Sequence, residues 1–398
     1  MGIVVVGGGL AGAHAVEELR AQGHTGPVTL IGSEQHPPYE RPPLSKGLLL
    51  GTDEPDSPIV RDAGWYADHD VELLTGHTVT AVDTAARRVA LGDRELDYDR
   101  LLLATGARPR RLAVADDSGA EVAYLRTLED SLALKERLGG HLLVIGAGWI
   151  GLEVASAARQ AGGSVTVVES ASLPLERVLG PEVAPVFAEL HREHGVDLRL
   201  GTGVAAVEHT GGGTRVVLDD GSAITPDLVV VGIGAVPEDR LAVEAGLAVD
   251  GGVLVDARLR TSDDHVFAAG DVAHHDHPVL GHRIRVEHWD TAIHQGKHAA
   301  RAMLGDDAAY DRQPYFFTDQ YDLGMEYVGH TGAGYDDVVL RGDLAGRIFS
   351  ALWIRGDRVV AGMHVNDWDA IDPLKAVVGR EATAAVRDPG VPLADLAD

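Results

Sequence analysis

Unbroken runs of apolar residues, rather than alternating ones, mark the start and the middle of this chain. Ile3-Val4-Val5-Val6 has no polar position, and Leu142-Leu143-Val144-Ile145 repeats the pattern. A short run that is apolar at every position reads as a strand covered on both faces, the situation in a parallel sheet flanked by helices. Each run leads into a glycine-rich turn, Gly7-Gly8-Gly9-Leu10-Ala11-Gly12 and Gly146-Ala147-Gly148-Trp149-Ile150-Gly151. A helical stretch follows, ending near Gln22 and Ala161, and then a second apolar strand, Val28 to Ile31 and Val165 to Val168. One β-α-β pattern is therefore used twice.

Further short strands are predicted at Val71 to Leu74, Arg88 to Leu91 and Arg100 to Ala104, the last running into Thr105-Gly106-Ala107. Past the second unit, Asp227 to Val231 leads into Gly232-Ile233-Gly234, and Val266 to Ala269 into Gly270-Asp271. Strands that end in small residues place backbone amides beside a ligand at the carboxyl edge of a sheet. The last eighty or so residues alternate instead, as in Arg347 to Ile354 and Arg358 to Met363, and predict an antiparallel α+β domain. The fold class expected is α/β, with two Rossmann-like dinucleotide-binding domains and a C-terminal α+β domain. The expected boundaries are 1–112 with 246–318 for a discontinuous first domain, 113–245 for the second and 319–398 for the third.

Composition narrows the chemistry. The 398 residues contain no cysteine, which excludes a disulfide, a thiolate zinc site, an iron–sulfur cluster held by this chain, and a cysteine nucleophile or redox dithiol. The formal charge of −27 opposes non-specific binding to nucleic acid or anionic lipid. No apolar run reaches the length of a membrane span, and the start enters a strand without a basic leader, so a cytoplasmic location is the expectation.

The two glycine-rich turns carry the candidate chemistry. In a G-x-G-x-x-G turn the first glycine makes the tight bend, the second lets a pyrophosphate approach the backbone, and the third lets helix and strand pack closely. The helix N-terminus then offers free N–H groups and a positive dipole end to the phosphates. An acid that accepts hydrogen bonds from a ribose is expected about 20 residues further on, and Glu34 and Glu169 stand there. One such turn is a weak signal in a glycine-rich chain, but two in the same strand–turn–helix–strand context predict two bound dinucleotides. Glu169 is followed by Ser170, Ala171 and Ser172, with no base before Arg177. A carboxylate there repels a 2′-phosphate, which predicts NADH over NADPH.

The chain resembles the FAD- and NADH-dependent ferredoxin reductases, the group that includes putidaredoxin reductase, the reductases of aromatic-ring dioxygenases, rubredoxin reductases and apoptosis-inducing factor. The resemblance rests on Arg41-Pro42-Pro43-Leu44-Ser45-Lys46, Ala104-Thr105-Gly106, Leu125-Arg126-Thr127-Leu128-Glu129-Asp130, Gly270-Asp271, Glu287-His288-Trp289 and Asp319-Gln320-Tyr321, in the family's order along nearly the whole chain. It implies FAD on the first unit and NADH on the second. Gly7, Gly9, Ala11 and Gly12 would hold the FAD pyrophosphate, Ser33 and Glu34 the adenosine ribose, and Arg41 would lie close to the phosphates. Val79, Ala104, Gly106, Arg126 and Trp289 would contact the cofactor, and Asp271 the ribityl chain. Gly146, Gly148, Trp149, Ile150, Gly151 and Glu169, with Gly232, Ile233 and Gly234, would hold NADH. The resemblance makes Lys46 a fixed positive charge near the flavin and Glu153 the acid that pairs with it and orients the nicotinamide carboxamide. The implied activity passes electrons from NADH through FAD to a small ferredoxin or rubredoxin, with the enzyme a monomer or homodimer and no nucleic-acid or membrane partner.

Several residues stay open between two readings. From spacing alone, Glu153 is equally an acid favoured by the helix dipole. Many relatives have tryptophan where this chain has Phe317 in Tyr315-Phe316-Phe317-Thr318; Phe317 either covers the flavin ring or, with Phe316, is interface packing. His274-His275-Asp276-His277, with His282 and His288, reads as a rim loop beside the flavin rather than a metal site, because neighbours in a polar loop do not converge on one ion. Arg108, Arg110, Arg111, Arg283 and Arg285 are either a docking patch for an acidic partner or scattered surface charge. The competing functions are reduction of a quinone, a radical or oxygen, and redox sensing in the manner of apoptosis-inducing factor.

Overall fold

The strand Ile3–Val6 is buried at all four positions and pairs in parallel with Val28–Ile31 on one side and Arg100–Leu103 on the other. Val71–Leu74 and Val266–Ala268 complete a five-stranded parallel sheet. The strands Ile3–Val6, Val28–Ile31 and Val266–Ala268 are buried at every position because both faces of the sheet are covered there. The helix Leu10–Ala21 lies against the helix Trp289–Met303, and Ala11, Ala15, Val16 and Leu19 join Ile293, Ala299, Ala300 and Met303 in one core.

The second pattern folds the same way. His141–Ile145 pairs in parallel with Ser164–Glu169 and Leu228–Val231, in a five-stranded sheet whose outer members are Asp197–Leu200 and Val122–Ala123. The helix Trp149–Gln160 follows the glycine turn, as the apolar run and its spacing predict. The C-terminal part is a five-stranded antiparallel sheet in the order Tyr315–Gln320, Leu323–Gly329, Arg358–Val365, Ile348–Arg355, Asp337–Asp343. Trp353, Phe349 and Met363 lie in its core.

The computed structural model describes residues 1–396. The chain divides into two compact units. One comprises Met1–Arg41, Asp56–Arg108 and Val236–Pro314; the other comprises Pro42–Pro55, Pro109–Ala235 and the chain from Tyr315. The segment Pro42–Pro55, which carries Ser45 and Lys46, thus folds with the second dinucleotide pattern, whereas the sequence places it inside the 1–112 domain. The antiparallel sheet belongs to that same unit.

One expected loop is a strand. His274-His275-Asp276-His277 lies on Ala273–His277, paired in parallel with Val253–Val255 and antiparallel with His282–Ile284. Strand alternation turns His275 and His277 inward, where they are 0% and 1% exposed. Burial pushes the His275 imidazole down to about 3, so the ring is neutral at ordinary pH. Its nearest aromatic neighbours are His277 and Tyr310, with ring centroids 5.1 and 5.4 Å away. A run of polar residues looks like a loop in sequence, and here the inward members are held as neutral aromatic rings. Among the described residues, no three His, Cys, Asp or Glu side chains gather as a metal-binding group, and no helix is long and apolar enough to cross a membrane.

Candidate functional site

The first glycine turn is built by close approach of backbone. Gly7 has φ +128°, and a Cβ there would stand 2.0 Å from the carbonyl oxygen of Ala104, so only glycine fits between the two strands. A Cβ on Gly12 would meet the Gly7 carbonyl oxygen at 2.1 Å, which is the contact between helix and strand that the third glycine permits. A Cβ on Gly9 would meet nothing within 4 Å. The turn therefore opens a cradle at its second glycine, and the helix Leu10–Ala21 aims its N-terminus there without a side-chain cap. That vacancy and those free N–H groups fit a pyrophosphate.

Beside this cradle, Glu34 is held by its own loop. Tyr39 OH donates to Oε2, and Arg41 Nη2 donates to Oε1 at 2.8 Å. Burial by itself lowers the Arg41 basicity, but the neighbouring Tyr39 oxygen and the Glu34 carboxylate outweigh it and the net shift is upward, with Asp271 contributing in the same direction. Arg41, Glu34 and Asp271 thus form one charged group. Ser33 is exposed at the end of the strand, Val79 is buried in the core, and Asp271 sits in the short turn Gly270–Val272, where Gln295 Oε1 accepts from the Gly270 N–H at 2.9 Å. Trp289 is the first residue of the helix Trp289–Met303 and is partly buried against the same core.

The second turn repeats the geometry with matching distances. A Cβ on Gly151 would meet the Gly146 carbonyl oxygen at 2.1 Å, and one on Gly146 would meet the Gly232 carbonyl oxygen at 2.5 Å. Above Gly148 the nearest atom is the Gly232 carbonyl oxygen at 3.9 Å, so this cradle is open as well. Glu169 ends its strand and is fixed by backbone: Ala147 N donates to Oε2 at 2.8 Å and Ala171 N to Oε1 at 2.9 Å. The acid is thereby tied to the glycine turn itself. Ile150 projects outward, 45% exposed, whereas the Trp149 ring packs inward on Phe316 and Phe187, with centroids at 5.0 and 5.9 Å. Any part Trp149 plays in holding a nucleotide falls to its backbone.

Two segments far from it in sequence converge on Glu153, which is 4% exposed in the first turns of the helix Trp149–Gln160. Lys46 Nζ donates to Oε1 at 2.6 Å, Ser45 Oγ to Oε2 at 2.5 Å, and Thr318 Oγ1 to Oε1 at 2.5 Å. A buried carboxylate requires such donors, and an ammonium with two hydroxyls supplies them. Lys46 also lies 5.6 Å from the centroid of the Phe317 ring, a cation–π distance. Phe316 and Phe317 separate here: Phe316 is buried between Trp149 and Tyr327, and Phe317 faces the ammonium. Beside them Asp319 is raised above the usual carboxylate range, chiefly by burial, with Glu153 adding to the shift and Lys46 opposing it.

Arg126 is presented by a capping box. Thr127 Oγ1 accepts from the Asp130 N–H at 3.1 Å, while Asp130 Oδ2 accepts from the N–H groups of Thr127 and Arg126 at 2.8 and 2.9 Å. The Arg-Thr-Leu-Glu-Asp run is therefore the start of the helix Leu128–Lys135. Ser45, Thr318 and Asp319 join the Glu153 cluster without having been expected from sequence, although Ser45 and Asp319 lie within the runs that carry the resemblance and Thr318 directly precedes one of them.

Of the five arginines, Arg110 is exposed, and the other four have acids beside them. Arg108 pairs with Glu238 at 2.8 Å, Arg111 with Asp116 at 2.9 Å and Arg285 with Glu287 at 2.5 Å, and Arg283 lies 3.9 Å from Asp276. Acids neutralise them locally. A cleft on the helix Trp289–Met303 is lined by His294, Lys297, His298 and Arg301 at helical spacing and by Asp311 and Arg312, and acids pair its arginines as well, Arg301 with Glu18 at 3.0 Å and Arg312 with Asp290 at 2.8 Å.

With this geometry in place, similarity to known proteins is informative. Residues 1–296 match the model of the pyridine nucleotide-disulphide oxidoreductase family, and residues 315–397 match that of a reductase C-terminal domain. The chain is 42% identical to the ferredoxin–NAD(+) reductase component of an anthranilate 1,2-dioxygenase system from Burkholderia cepacia, over 97% of this chain and 95% of that protein. It is 40% identical to putidaredoxin reductase of Pseudomonas putida, over 92% of this chain and 88% of that protein. Among solved structures, that of the covalent putidaredoxin reductase–putidaredoxin complex matches with a TM-score of 0.94 at 38% identity, covering 99% of this chain and 97% of the other.

Proposed function

Since the chain belongs to the pyridine nucleotide-disulphide oxidoreductase family, and within it to the ferredoxin–NAD(+) reductases, we propose that it is a cytoplasmic FAD-dependent oxidoreductase that passes electrons from NADH to a small ferredoxin. The observation that carries this reading is the Lys46–Glu153 ion pair, 2.6 Å long, at the head of the second fingerprint helix in a chain without cysteine. Family members that reduce disulfides relay electrons through a dithiol, and here no sulfur is available for that relay. Electrons leave the flavin directly, which calls for an acceptor that docks.

Bound FAD supplies the conversion of a two-electron donor into one-electron steps. The residues of this chain do the rest. The open turns at Gly9 and Gly148 hold the two pyrophosphates by backbone N–H groups. Glu34 with Arg41 and Glu169 with its backbone donors fix the two adenosine ends. Lys46 keeps its ammonium where negative charge develops, oriented in advance by a carboxylate that cannot turn away because Ser45 and Thr318 also hold it. The proposed functional division gives 1–112 and 246–318 to FAD, 113–245 to NADH and 319–398 to an interface domain.

Glu169 sets the preference for NADH. A 2′-phosphate would meet a carboxylate already fixed by two backbone donors and unable to swing aside. Glu169→Arg should narrow the ratio of kcat/KM for NADH over NADPH by about 100-fold, equivalent to about 2.7 kcal/mol. An unchanged ratio in steady-state assays would remove Glu169 from the ribose. The activity itself is tested by cytochrome c reduction with NADH: the rate should depend on added ferredoxin and saturate with it, and a rate independent of ferredoxin would overturn the assignment of the acceptor.

A further inference from the structure

The hydroxyl that Thr318 gives to Glu153 is the last link of a longer chain. Thr318 and Gln320 lie two apart on the strand Tyr315–Gln320, so both side chains point to the same face, and both are 0% exposed. Gln320 Nε2 donates to Thr318 Oγ1 at 3.3 Å, and Gln320 Oε1 is 2.9 Å from His191 Nε2. His191, on the helix Glu176–Glu193, is also 0% exposed, and its Nδ1 lies 3.5 Å from the Tyr321 hydroxyl. Tyr321 in turn stacks on His194 with ring centroids 3.7 Å apart. The chain starts at a partly exposed residue and ends on the buried carboxylate that holds Lys46.

The orientation of the Gln320 amide, with Nε2 toward Thr318 and Oε1 toward His191, sets the direction of the chain. Gln320 presents its amide N–H to Thr318 and its carbonyl to His191, so the His191 nitrogen facing it must carry a proton. The other ring nitrogen then accepts from Tyr321. Burial pushes the His191 imidazole down to about 4, so the ring is neutral at pH 7 and has a single N–H to give. Each N–H or O–H in the chain thus points toward Glu153. A threonine hydroxyl alone can rotate among acceptors; one that receives a hydrogen bond from Gln320 has its proton committed to Glu153, and successive bonds polarise one another.

We infer that Thr318, Gln320 and His191 are positioning residues for the Lys46–Glu153 pair, forming a one-way hydrogen-bond chain that fixes the Glu153 carboxylate and through it the Lys46 ammonium. The inference rests on the proposed reading of that pair as the charge that serves electron transfer from NADH. It gives a role to Gln320 and Tyr321, which the motif Asp319-Gln320-Tyr321 carries without an assigned purpose. The charged groups that share this environment, Lys46 just after the turn Pro42–Ser45 and Asp319 on the strand Tyr315–Gln320, with Glu326 acting on Asp319, are unchanged by the Thr318 substitutions below.

The test uses the FAD-loaded enzyme and has two independent readouts. In stopped-flow reduction by NADH, Thr318→Val should lower the limiting rate of flavin reduction by about tenfold or more, leaving the Kd of NADH within about twofold, because a hydrogen bond to a charged group is lost. Thr318→Ser should restore most of the rate. In a Glu153→Gln background, Thr318→Val should add less than about threefold, since both changes act through one carboxylate. Separately, two-bond proton–nitrogen correlation on histidine-labelled wild-type enzyme should find His191 neutral with its proton on Nε2. A full Thr318→Val effect in the Glu153→Gln background, or a proton on Nδ1 of His191, would overturn the chain. If wild-type flavin is not reduced by NADH at all, the underlying reading of the pair fails, and the tautomer measurement still judges the chain itself.

Discussion

Lys46→Ala should slow the reduction of bound flavin by NADH about 100-fold or more while the enzyme still purifies with FAD. Among the described residues Lys46 is the cation paired with the Glu153 carboxylate, 2.6 Å away, and it faces the Phe317 ring. Removing one preorganised donor from a developing charge costs on the order of 100- to 1,000-fold in rate. The deletion also leaves Glu153, 4% exposed, with hydroxyl donors only. Stranding a buried carboxylate in this way costs about 3–5 kcal/mol when no water reaches it; Lys46 is itself 20% exposed on its side chain, so water enters and the loss of stability is smaller. Rapid-scan absorbance separates the outcomes. Slow bleaching of a fully loaded flavin supports the role of Lys46, and bleaching at the wild-type rate would remove it from the mechanism.

Gly12→Ala and Gly151→Ala should have equally severe but distinct effects. In each case the new Cβ would come within 2.1 Å of a backbone carbonyl oxygen, of Gly7 or of Gly146, and backbone has no side chain to move aside. Helix and strand must separate, at a cost of about 1–3 kcal/mol or more, and the N-terminal N–H groups move away from the cradle. Gly12→Ala is expected to purify largely without flavin. Gly151→Ala is expected to retain flavin and to bind NADH at least about tenfold more weakly, an outcome that depends on the assignment of one nucleotide to each turn. Flavin content by absorbance and NADH titration distinguish them; loss of flavin from Gly151→Ala alone would reverse the assignment.

The repeated β-α-β pattern was legible because it depends on neighbours in sequence. The runs Ile3 to Val6 and Leu142 to Ile145, the glycine spacing and the acids at Glu34 and Glu169 all sit within about 30 residues of one another, and the strands form where the runs occur. Features that depend on distant pairing were not legible. Ser45 and Thr318 reach Glu153 across separations of 108 and 165 residues, which no local pattern encodes. Arg108 looks like free charge until Glu238, 130 residues away, folds beside it. The histidine run reads as a polar loop, and only its pairing to Val253–Val255 and His282–Ile284 turns His275 and His277 inward. Composition supplied what local pattern could not, because the absence of cysteine removes the dithiol relay whatever the fold.

The central claim is that electrons enter from NADH and leave directly to an iron–sulfur partner. Anaerobic double-mixing stopped flow tests it in one experiment: the enzyme meets one equivalent of NADH, and then an excess of oxidised ferredoxin. NADH should bleach the flavin, NADPH at the same concentration should do so far more slowly, and the flavin should recover in step with reduction of two ferredoxins per NADH. Flavin that stays bleached in the presence of ferredoxin, yet recovers at once with a quinone or oxygen, would contradict it.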